Sequence, residues 1–114
     1  MNELITKFKE AGNDADGTLA RFSGNEDLFL KFLTKFPEDE TFKQIAPAFD
    51  NNDFEQALAT THTLKGVSRN LGMTKLYEAT SNTVALIRAK EYDKAKESYA
   101  EIKSAYEEIC DLLK

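Results

Sequence analysis

The 114-residue chain holds one histidine, His62, and one cysteine, Cys110. Imidazole is largely uncharged at neutral pH and offers a ring nitrogen as nucleophile, proton carrier or metal ligand. One His and one Cys fall short of the usual zinc ligand set, so no metal site is expected. The neighbours of His62 are more informative: Lys65, Gly66 and Arg69 follow at three, four and seven residues, on one side of a helix. A glycine in mid-helix costs about 1 kcal/mol relative to alanine. At Gly66 the missing side chain opens the approach to the imidazole, and Lys65 brings a cation to the same spot. Bare space and positive charge beside an exposed imidazole suit a transferable phosphoryl group. The ring nitrogen would attack phosphorus, Lys65 would neutralise the equatorial oxygens, and Arg69 could help from the next turn. Five glycines without GxxxxGK or GxGxxG leave no nucleotide cradle, so any donor must be a partner.

Such a site needs a rigid helix. Asp53 with Gln56 three residues on forms a capping box, and Gly72 is a stop signal, which predicts a helix over about 54–70. On a wheel at about 100° per residue, Phe54, Ala57, Thr61, Leu64, Ser68 and Leu71 share roughly 100° of arc and form the inward seam. His62 lies about 130° from its centre, facing outward with Glu55, Leu58, Ala59, Lys65, Gly66 and Arg69. A lone histidine is usually a satisfied core residue or an idle surface one. The wheel disfavours the first, and the second leaves Gly66 unexplained.

The other segments also read as helices. Strict alternation never lasts, and no Asn-Gly or Asp-Gly joins two apolar runs. A first helix is predicted over about 2–11, then a loop and a short turn at 18–22. Asn25 caps a helix ending at Pro37. Glu38-Asp39-Glu40 opens another reaching about Phe49, with Pro47 late in it as a bend or end. Thr74 caps a helix to about Ala89, and Tyr92-Asp93 starts the last. Helices of this length joined by short turns predict an all-α antiparallel up-down four-helix bundle with an additional N-terminal helix and turn. Residues 1–114 are expected to form one domain, a monomer.

Composition narrows the function. Fifteen Lys and Arg against twenty Asp and Glu leave a net charge of -5. That is a poor nucleic-acid binder, because binding requires a basic stripe. No segment has the roughly 20 apolar residues that span a bilayer, and the first ten residues lack a secretion signal, so no membrane role and a cytoplasmic location are expected. A single cysteine suits a reducing compartment.

The string Thr61-His62-Thr63-Leu64-Lys65-Gly66-Val67-Ser68-Arg69-Asn70-Leu71-Gly72 closely resembles the AHxLKGxSxNLG motif of histidine-containing phosphotransfer (HPt) domains of multistep phosphorelays. Arg21-Phe22-Ser23-Gly24-Asn25-Glu26 is similar to the family's RFGG(D/N)E string, and Asp53-Phe54, Ala57 and Leu76 fit its pattern. Together the likeness covers about residues 18–113. It implies a four-helix bundle in which His62 accepts phosphate on Nε2, with Lys65 compensating charge and Gly66 giving clearance. It also implies response-regulator receiver domains or a hybrid histidine kinase as partners, with Mg2+ held by the receiver and no cofactor of the chain's own. Thr61 departs from the commoner alanine, and Val67 stands where a small or hydroxyl residue is frequent.

Remaining features are weaker. Arg88, on the neighbouring helix, could reach a phosphate, although a solvated arginine is the simpler account. The eight phenylalanines are mostly core. One or two, with Leu58 and Ala59, are candidates for an apolar rim on which a receiver docks. Cys110 is most simply a small buried apolar residue. The leading expectation is a phosphocarrier taking phosphate from a receiver Asp-phosphate to His62 and on to another receiver, an intermediate without independent turnover. The alternatives are the phosphoacceptor domain of a chemotaxis-type or hybrid histidine kinase, and an inhibitory interaction bundle that is never phosphorylated.

Overall fold

The computed structural model describes residues 2–114, and among them all regular structure is helical. In chain order the helices are α1 (Glu3–Glu10), α2 (Ala15–Arg21), α3 (Glu26–Lys35), α4 (Ile45–Asp50), α5 (Phe54–Asn70), α6 (Thr74–Arg88) and α7 (Tyr92–Leu112). Two 3-10 turns, Phe36–Glu38 and Phe42–Gln44, link α3 to α4. None is long and apolar enough to cross a membrane.

The long helices α5, α6 and α7 carry the architecture. Only residues 71–73 and 89–91 separate them, and each packs on the next, so the three run antiparallel. Their facing sides bury Ala57, Leu64, Leu76, Val84, Ala95 and Ile102 almost completely. The shorter N-terminal helices extend this core, with Phe8 of α1 edge-on to Phe29 of α3 at 5.7 Å. Aromatic stacking fastens the middle of the chain to α7. Phe42 lies flat on Tyr106, and Phe54 on Tyr92, each at 3.9 Å between centroids. Cys110 is half-buried rather than buried, and burial pushes its thiol up.

Local signals account for most boundaries. Asn2 and Asn25 accept hydrogen bonds from the amides of Leu4 and Leu28, and Asp53 from that of Gln56, so these three are side-chain N-caps. Three expectations need correction. The short turn at 18–22 is the helix α2, which Asp14 caps through the Gly17 amide. Thr74 is the first residue of α6 and Met73 its cap, with no side-chain capping bond. The continuous helix from Pro37 to Phe49 is instead two 3-10 turns and the six-residue α4.

Two causes break that segment. The Asp39 carboxylate accepts from the Thr41 amide at 2.7 Å, closing an Asx turn that competes with helix. Pro47, with no N–H to give, sits in the first turn of α4, where none is needed. Glu38-Asp39-Glu40 is therefore turn chemistry, not a helix start.

Candidate functional site

Helix α5 presents the expected faces. Ala57, Thr61, Leu64 and Ser68 are at most 1% exposed, Leu71 is buried and Phe54 half-buried. On the opposite side His62, Ala59, Gly66 and Arg69 are exposed, with Leu58 and Lys65 half-buried. His62 thus stands in mid-helix on a solvent-facing surface. A Cβ built on Gly66 meets nothing within 4 Å, so the space one turn beyond the imidazole is open. Ser68 points inward, and its hydroxyl donates back to the Lys65 carbonyl at 2.8 Å, a structural bond.

Thr61 is the unusual residue of this helix. It is fully buried, and its Oγ1 has no hydrogen-bond partner. A buried unsatisfied hydroxyl costs about 1–3 kcal/mol, whereas an apolar group of the same shape does not. Thr61→Val is therefore expected to stabilise the protein by about 1 kcal/mol, read as a higher urea midpoint at unchanged m-value. A lower midpoint would mean that the hydroxyl has a partner in solution.

Basic groups collect around the second half of α5. Lys65 does not extend freely: its ammonium lies over the Tyr77 ring of α6, 5.8 Å from the centroid. Arg69 is exposed one turn further on. Arg21 of α2 donates to the carbonyls of Arg69 at 3.0 Å and Asn70 at 3.2 Å, and to the Thr18 hydroxyl at 3.0 Å. A guanidinium on the last carbonyls of α5 compensates the negative end of its dipole and ties α2 to the helix that carries His62. Arg88 lies on the neighbouring helix. It ends α6, exposed, about 9 Å beyond the level of His62 by helical rise along the antiparallel pair.

An apolar groove of about 460 Å3 opens beside α5, lined by Phe22, Phe32, Phe36, Val67 and Leu71 with Arg21 and Lys35 at its rim. Phe32 is 46% exposed and stacks on Phe22 at 5.6 Å, and Leu28, one turn earlier on α3, is also exposed. The wheel of α5 could not identify these rings, because they belong to other helices. Arg21 and Tyr77 were likewise missed as parts of the site. The signal for Arg21 was its place in Arg21-Phe22-Ser23-Gly24-Asn25-Glu26. Tyr77 had none, since its role depends on the register between two helices.

A helical bundle with a solvent-facing histidine, a lysine and a bare glycine on one helix face defines a class: small helical domains built to expose one imidazole. The chain belongs to the Hpt domain family, whose family model matches residues 27–112. Membership indicates phosphotransfer in phosphorelay signalling, in which Hpt domains interact with receiver domains and kinases. Neither the curated proteins nor the solved structures include a significant match to the chain.

Proposed function

We propose that the protein is a phosphocarrier whose phospho-accepting atom is Nε2 of His62. The observation that carries this is the exposed imidazole in mid-helix with open space at Gly66 one turn away. The Nε2 lone pair attacks phosphorus of a receiver aspartyl phosphate, forming the N–P bond as the O–P bond breaks. That bonding pair returns to the receiver carboxylate, and the proton on Nδ1 stays in place. The reverse step delivers the group to a second receiver. Lys65 and Arg69 offset the phosphoryl charge, and Mg2+ belongs to the receiver.

Docking is assigned to Leu58 and Ala59 beside His62 and to the groove of Phe22, Phe32 and Val67 on its flank. Small exposed apolar patches are ordinary, but a stacked pair of rings bordering a groove marks an interaction surface. Incubation with phosphorylated receivers tests the proposal. The protein should gain an acid-labile, base-stable phosphate, and a panel of receivers should reveal which ones donate and accept.

Gly66 offers a separate test, because its two roles have opposite signs. Gly66→Ala fits the open space and should stabilise α5 by about 1 kcal/mol. Gly66→Gln should fold equally well yet block transfer by covering the imidazole. Wild-type transfer rates in the glutamine variant would show that clearance is not the reason for the glycine.

A further inference from the structure

Lys65 and Tyr77 face each other across the α5–α6 pair, with the ammonium 5.8 Å from the ring centroid and both side chains half-buried. Their position along the pair sets the direction of the contact. Counting from the turn at residues 71–73 by helical rise, Tyr77 lies about 3 Å nearer that turn than Lys65. His62 lies about 4.5 Å on the other side of Lys65. A lysine in a helix otherwise leans toward the N-terminus, here toward His62. The ring therefore draws the cation away from the imidazole that it is meant to serve.

We infer that Tyr77 is a parking site for Lys65, competing with the phosphoryl group on His62 for the same ammonium. This rests on the reading of His62 as the phosphoacceptor. In the unmodified protein the ammonium rests on the ring. Once His62 carries phosphate, the stronger ionic partner takes the cation, and the aromatic contact is lost. Differential interaction of this kind shifts an equilibrium by the free energy of the contact given up. An exposed cation–π contact corresponds to about a two- to fivefold change in an equilibrium constant. Tyr77 thereby weakens the hold on phosphate by that factor and favours passing it on. It is a positioning residue acting through Lys65.

The expected result has an unusual sign. With phosphoramidate as donor, attack by Nε2 breaks the donor N–P bond and releases ammonia, so ammonium sets the reverse reaction. At fixed phosphoramidate and ammonium, Tyr77→Leu should raise the equilibrium ratio of phosphorylated to free protein two- to fivefold, and Tyr77→Phe should match wild type. Simple structural damage would lower it. In a Lys65→Ala background, Tyr77→Leu should change nothing. NMR gives a readout independent of phosphate level. The Lys65 ε-methylene protons should be ring-current shifted in wild type and Tyr77→Phe, unshifted in Tyr77→Leu, and should lose the shift when His62 is phosphorylated.

An unchanged or lowered ratio in Tyr77→Leu overturns the inference while leaving the relay reading intact, as does a ring-current shift that survives phosphorylation. A wild-type protein that takes up no phosphate removes both.

Discussion

His62→Gln should take up no acid-labile phosphate from any receiver that labels the wild type, and should unfold within about 0.5 kcal/mol of it. The loss is expected to be complete because the chain has no second imidazole, and a glutamine amide offers no comparable nucleophile. Stability should be unaffected because the His62 side chain is exposed and makes no hydrogen bond or ion pair with the described residues. Radiolabel from a phosphorylated receiver, checked for acid lability, measures the first quantity, and urea unfolding the second. The experiment also separates the two kinds of function. An inhibitory bundle would bind receivers equally well with histidine or glutamine, and its wild type would never carry label. A glutamine variant that still labels would place the acceptor elsewhere and end the assignment.

Gly72→Ala should destabilise the protein by about 3 kcal/mol, the largest loss expected from any single methyl group here. Gly72 has φ +72°, a left-handed conformation that costs an alanine about 1–2 kcal/mol. Its surroundings add the rest. A Cβ there would fall inside contact distance of the Asp14 carbonyl oxygen and the Thr18 hydroxyl. The Asp14 amide also donates to the Gly72 carbonyl at 2.8 Å, so neither backbone can withdraw without breaking that bond. Gly24 is the control: φ is +73°, but nothing lies within 4 Å of a built Cβ. Gly24→Ala should therefore show the conformational cost alone, about 1–2 kcal/mol. Equal losses at the two positions in urea titrations would show that the close approach of α2 contributes nothing.

What could be read from the sequence follows the range of the interaction behind each feature. The faces of α5 were legible because the rotation between Thr61, His62 and Gly66 is set within the helix. Capping by Asn25 and Asp53 is likewise local. The 37–49 segment misled because two local preferences oppose there. An acidic run after proline resembles a helix start, yet Asp39 uses its carboxylate to close a turn. Contacts across the molecule were not legible. Arg21 reaches carbonyls 48 and 49 residues away, and Lys65 meets Tyr77 only because α5 and α6 pack at one particular register. The motif marked the candidate residues of α5, whereas their neighbours from α2 and α6 emerged only from packing.

The two three-residue turns joining α5, α6 and α7 have a kinetic consequence. Partners across each turn are close in the chain, so loop closure costs little entropy before apolar burial rewards it. Low contact order of this kind places a domain among the rapid folders, in microseconds to milliseconds. Helix α5, which carries His62, can therefore pair with α6 and α7 as one antiparallel unit before contacts with the sequence-distant N-terminal helices are made.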